Sequence, residues 1–159
     1  MKIPVAQAEP HTRREFCAHV CQAASMLALS SIAACGDSST SPSPMAAQLP
    51  SAAAAVAGRT VSVTIDAASA LAPVGAMAMI QTSLGTFLVA RTAQDAFTAL
   101  TATCTHEGCT ISGFAGDRFV CPCHGSQFST SGGVTKGPAS RSLQQFTTQF
   151  ANGVVTFSA

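Results

Sequence analysis

The apolar residues of this chain fall into short runs with the period of extended backbone. In TVSVTIDA (60–67), Val61, Val63 and Ile65 alternate with Ser62 and Thr64, which predicts a strand with one buried face. AMAMIQTS (76–83), GTFLVART (85–92) and AFTALTA (96–102) predict further short strands separated by glycine or polar turns. DRFV (117–120) adds another, and LQQFTTQF (143–150) with GVVTFSA (153–159) predicts a closing pair turned at Ala151-Asn152-Gly153. No stretch sustains the 3.6-residue period of an amphipathic helix. The expected fold is therefore all-β, a small antiparallel domain over residues 60–159.

The pattern before residue 60 is different. GDSSTSPSPMAAQLPSAAAAVAGR (36–59) is dominated by Ser, Pro, Thr and Ala, with few large apolar residues to bury. It is expected to be a flexible tether, spanning roughly 25–30 Å on average for about two dozen residues, with at most a turn or two of helix in its alanine run. Residues 1–34 have the shape of a targeting segment: Arg13 and Arg14, then an apolar run from Val20 to Ala34 that is too short and interrupted to span a bilayer. TRREF resembles the twin-arginine export motif of bacteria. IAAC, ending at Cys35, resembles a lipobox, which implies cleavage before Cys35 and lipid on its sulfur. These resemblances imply an exported protein, periplasmic or at the cell surface, anchored to a membrane through Cys35.

Export changes the chemistry open to the thiols, because disulfides persist outside the cytosol. Removal of the leader also removes His11, His19, Cys17 and Cys21, leaving His106 and His124 beside Cys104, Cys109, Cys121, Cys123 and Cys35. Charge in the remainder is balanced: Arg59, Arg91, Arg118, Lys136 and Arg141 against Asp37, Asp66, Asp95, Glu107 and Asp117. That balance offers no basic patch for nucleic acid. With neither Trp nor Tyr to enlarge its core, a domain this small gains from a metal or a disulfide.

Two motifs gather the remaining sulfur and imidazole: CTHEGC (104–109) and CPCHGSQF (121–128). A tetrahedral zinc would use four of the six donors and leave two thiols over, and the spacings are not those of zinc knuckles. A thiol nucleophile needs one activating base, whereas each histidine here stands close to two cysteines, an arrangement suited to chelation. A binuclear iron–sulfur cluster with two cysteine and two histidine ligands accounts for four donors. The two cysteines left over fit one disulfide in an oxidising compartment.

CTHEGC and CPCHGSQF, with Gly137-Pro138 downstream, resemble the Rieske 2Fe–2S family in its disulfide-containing, cytochrome bc-complex type, over roughly residues 75–157. The resemblance implies that Cys104 and Cys121 ligate an inner iron, that His106 and His124 ligate an outer one, and that Cys109 and Cys123 form the disulfide. It places Gly108, Gly125, Ser126, Phe128, Gly137 and Pro138 around the cluster. The glycines bring backbone N–H groups toward sulfur, the Ser126 hydroxyl donates to a sulfide, and Gly137-Pro138 covers the far side. Phe128 departs from the family, which often carries Tyr there; without that hydroxyl the reduced state is less stabilised. The expected potential lies in the upper half, short of the top, of the range from about −150 to +300 mV. The eleven residues between the motifs make a short loop for this family.

The implied function is one-electron transfer by a membrane-tethered carrier rather than stand-alone catalysis. Alternatives are the small subunit of a periplasmic oxidoreductase of the arsenite oxidase type and the Rieske subunit of a cytochrome bc-type complex. A non-redox binding module with a structural cluster stands as a different class. Implied partners are redox proteins of cytochrome, quinol-oxidising or molybdenum-enzyme type, together with a membrane.

Overall fold

The computed structural model describes residues 46–159. Among them there is no helix; thirteen strands form three antiparallel sheets, so the all-β expectation holds. The strands are β1 (Ala47–Gln48), β2 (Ala55–Ala57), β3 (Thr60–Thr64), β4 (Met77–Thr82), β5 (Gly85–Ala93), β6 (Ala96–Thr101) and β7 (Gly113–Ala115). They continue with β8 (Arg118–Val120), β9 (Gln127–Ser129), β10 (Val134–Lys136), β11 (Gln145–Phe146), β12 (Thr148–Ala151) and β13 (Val154–Ser158).

The central sheet, in the order β11-β6-β5-β4, explains why MAMI and FLVA read as nearly continuous apolar runs. It is covered on both faces, and a strand buried on both sides loses the polar half of its alternation. Ala78, Ile80, Phe87, Val89, Phe97 and Ala99 face one core, shared with Val61, Val63, Val155 and Phe157 of the sheet β12-β13-β3-β2. Met77, Met79, Leu88, Ala90 and Leu100 face the other, shared with Phe119 and Phe128 of the sheet β1-β7-β8-β9-β10. Cys104 and Cys121 belong to this second core.

Two expectations need correction. LQQFTTQF is not one strand: β11 pairs with β6 and β12 with β13, so the chain changes sheets at Thr147. The turn that follows is as expected, with Asn152 (φ 51°) and Gly153 (φ 74°) in left-handed conformations.

The second correction concerns the tether. From Ala46 onward the segment is packed onto the domain, not loose. β1 pairs with β7, β2 pairs with β3, and between them Leu49 N–H donates to Ser112 O (2.8 Å) and Ala52 N–H to Met79 O (3.1 Å). Leu49 is 3% exposed and sits in the cysteine-containing core. Ala55–Ala57 is strand, not helix, because pairing with β3 overrides the helical propensity of alanine. Small side chains let the strap lie close: a Cβ on Gly113 would come within 2.9 Å of the Ala46 Cβ. The domain thus includes residues 46–59, and the expected boundary at 60 is too late. The proposed leader, Arg13, Arg14 and Cys35 lie outside the described residues.

Candidate metal centre

Both cysteine–histidine motifs fold as tight loops at one end of the β7–β10 region, and the two are built alike. In the first, Cys104 N–H donates to Cys109 O (2.8 Å) and Gly108 N–H to Cys104 O (2.9 Å). In the second, Cys121 N–H donates to Ser126 O (2.9 Å) and Gly125 N–H to Cys121 O (3.0 Å). Each residue of the second frame lies seventeen positions after its counterpart. The flanking pairs obey the same offset, Thr103 opposite Thr110 and Val120 opposite Gln127. Gly108 (φ 75°) and Gly125 (φ 73°) are equivalent, and both have open space where a side chain would go. They are glycine for their backbone conformation, not for room. Their amides close the loops onto the cysteine carbonyls.

The Cys109 and Cys123 sulfurs are bonded, joining the two loops across a sequence separation of 14. Cys104 and Cys121 remain free thiols, buried and in contact with each other. Burial pushes the Cys121 thiol up, and the adjacent Cys104 thiol pushes the same way; the backbone N–H groups of Cys123 and His124 oppose this. Both amides lie in the turn that Gly125 closes. The His106 and His124 rings meet edge to face, centroids 4.9 Å apart, with side chains 28% and 48% exposed. Buried sulfur thus adjoins accessible imidazole on the same two loops.

Around this centre, Ser126 is fully buried and its hydroxyl oxygen accepts from Ala139 N–H (3.0 Å). That bond pins the segment containing Gly137-Pro138, a cis peptide, against the second loop and leaves the hydroxyl hydrogen to donate elsewhere. Phe128 is fully buried in the core that holds Cys104 and Cys121. Thr105 Oγ1 donates to Arg141 O (2.5 Å), tying the first loop to the chain beyond Pro138. The sequence reading passed over Ala139, because its part is played by a backbone N–H, and over Glu107, whose carboxylate lies between the histidines. The repeated loop frame was the available signal for Glu107, since it stands where His124 stands in the second loop.

The family described as Rieske [2Fe-2S] domain matches residues 62–147, more than half of the chain. The chain belongs to this family. Its cofactor is a Rieske-type 2Fe–2S cluster, and the donor set fits: two buried thiols and two accessible imidazoles. A bound metal favours the thiolate form that burial opposes.

Curated relatives of this Rieske domain include the cytochrome b6-f complex iron-sulfur subunit of Synechococcus sp. (strain JA-3-3Ab). It is 47% identical over 60 residues, covering 37% of this chain and 35% of the relative. The subunit of the same name from Prochlorococcus marinus (strain NATL1A) is 41% identical over 76 residues, covering 45% and 42%. Among solved structures, the cyanobacterial plasma membrane Rieske protein PetC3 from Synechocystis PCC 6803 matches with TM-score 0.47 and 35% identity, over 52% of this chain and 86% of that one. The matches span about a third to two fifths of the length of these curated relatives.

Proposed function

We propose that this protein is a one-electron carrier in which Cys104 and Cys121 hold the inner iron and His106 and His124 the outer iron of the cluster. When bound, such a cluster supplies a one-electron couple whose potential is raised by histidine ligation. The residues of the chain do the rest. The Cys123 and His124 amides stabilise negative charge on the Cys121 sulfur, and the Cys109–Cys123 bond keeps the two loops in register. Ser126, held by Ala139, offers its hydroxyl hydrogen toward the site. The two imidazoles form the accessible edge through which an electron reaches a docked partner. The observation that carries this reading is the pairing of two buried free thiols with two accessible imidazoles on disulfide-joined loops.

We place this carrier outside the cytosol, exported through the Arg13-Arg14 motif and anchored by lipid on Cys35. Residues 46–59 pack on the head, and the rest of the proposed tether, 36–45, lies outside the described residues. A second reading, a subunit of a cytochrome complex, is supported by relatives that are named cytochrome b6-f subunits.

Electron paramagnetic resonance of the reduced, purified protein tests the proposal. The expected result is a Rieske-type signal that disappears in His124→Ser together with the visible absorption. An iron-free protein, or absorption unaltered by replacing either histidine, would overturn it.

A further inference from the structure

Glu107 places one carboxylate across both histidines. Its Oε1 lies 3.9 Å from His106 Nε2 and its Oε2 lies 3.8 Å from His124 Nδ1. The side chain is 61% exposed, so it is no interior ion pair. Its position follows from the repeated loop frame: seventeen residues separate Glu107 from His124, as they separate Cys104 from Cys121 and Gly108 from Gly125. The first loop therefore presents a carboxylate at the place where the second presents an imidazole. Among the described residues, these histidines are the only basic groups within salt-bridge distance of Glu107.

Other charges stand nearby. Arg141 shares a groove with His106 and Glu107, and Lys136 lies exposed just before Gly137-Pro138. Glu107 is the carboxylate within 4 Å of a ring nitrogen of both imidazoles. Any partner that closes on the imidazole edges must also close on this carboxylate. Removing a carboxylate from water is costly unless the partner supplies a hydrogen-bond donor or a positive charge.

We propose that Glu107 is the specificity-determining residue of the electron-transfer tip, favouring a redox protein whose docking face carries lysine or arginine and disfavouring an anionic one. The inference rests on the electron-carrier reading. It concerns encounter rather than chemistry, and electrostatic steering of this kind changes association rates by about tenfold or more and fades with salt.

The test follows oxidation of the reduced, cluster-loaded protein by two one-electron acceptors of opposite charge, cationic tris-phenanthroline cobalt(III) and anionic ferricyanide. In each case the protein gives up one electron, cobalt(III) becoming cobalt(II) and ferricyanide becoming ferrocyanide. A change in cluster potential moves both rates in one direction, so the ratio of the two rates isolates the charge at the tip. Glu107→Gln is expected to lower the cation-to-anion rate ratio about threefold to tenfold at low ionic strength. Glu107→Lys is expected to lower it further, and Glu107→Asp to keep it. All variants should converge on the parent at high salt, where screening shortens to a few ångströms. A ratio within twofold of the parent in both the Gln and Lys variants, with cluster absorption intact, would overturn the proposal. A parent protein that binds no iron would instead overturn the functional reading beneath it.

Discussion

Leu49 gives the sharpest test of where the domain begins. Replacing it with alanine removes three carbon atoms from a position that is 3% exposed, in the core that also holds Cys104, Cys121, Phe119 and Phe128. At about 0.8 kcal/mol per buried carbon the transfer loss alone is about 2.4 kcal/mol, and an unfilled cavity carries leucine-to-alanine changes toward 5 kcal/mol. The strap is an edge, held by two β1–β7 pairs and single bonds such as Leu49 N–H to Ser112 O, so partial collapse keeps the expected loss near the lower figure. For a domain of about 110 residues the unfolding entropy is about 0.23 kcal/mol/K, which makes a loss of about 2.5 kcal/mol a fall of about 10 °C in midpoint.

The measurement is thermal unfolding followed by circular dichroism, alongside loss of visible absorption from the cluster. Val56→Ala, at an exposed position of the same strap, serves as the comparison and should stay within about 2 °C. If Leu49→Ala also stays within about 2 °C of the parent, residues 46–59 behave as a tether and the packed strap is refuted. Cluster absorption should be lost at the lowered temperature as well, because Leu49 packs in the core that contains both free cysteines.

Three further outcomes are expected. Cys109→Ser with Cys123→Ser releases a closed loop of about 15 residues and should cost about 3 kcal/mol, seen as a lower urea midpoint and faster bleaching; an unchanged bleaching rate would argue that the staple is dispensable. Ser126→Ala leaves the buried Ala139 N–H without its acceptor, a loss of about 1–3 kcal/mol in urea unfolding, and should lower the midpoint potential; an unchanged potential would count against donation by the hydroxyl toward the cluster. Phe128→Tyr should raise the potential in a redox titration if the new hydroxyl reaches a ligand sulfur, and an unchanged or lower potential would remove Phe128 from the account of tuning.

What the sequence disclosed depended on whether side chains or backbone carried the information. The Val61-Val63-Ile65 alternation disclosed β3 because one face of its sheet meets water, and the two Cys/His motifs were legible because their chemistry lies in side chains. The strap was missed for the opposite reason: it is held by backbone pairing to β7 and β3, which leaves almost no mark on a run of Ala, Ser and Pro. The Ala139 contact is likewise a backbone donor. Glu107 is plain in the sequence as one acidic residue among several, and only the matched hydrogen-bond frames of the two loops place it beside both histidines.

The division into two cores bears on how the site is maintained. Alternate residues of the central sheet face opposite ways, so the core shared with β3 and β13 contains no cysteine, while the one shared with β7–β9 contains Cys104 and Cys121. Truncations at adjacent residues of one strand should therefore separate two properties. Leu88→Ala empties space in the cysteine-containing core and Val89→Ala in the other, and each residue is fully buried. Both should lower stability by about 1–5 kcal/mol, with leucine the larger loss. After matching for stability with urea, Leu88→Ala should release iron faster and Val89→Ala should not, measured as bleaching under chelator. Equal release from the two variants would mean that the central sheet transmits the loss as one unit and that the two faces are not energetically distinct.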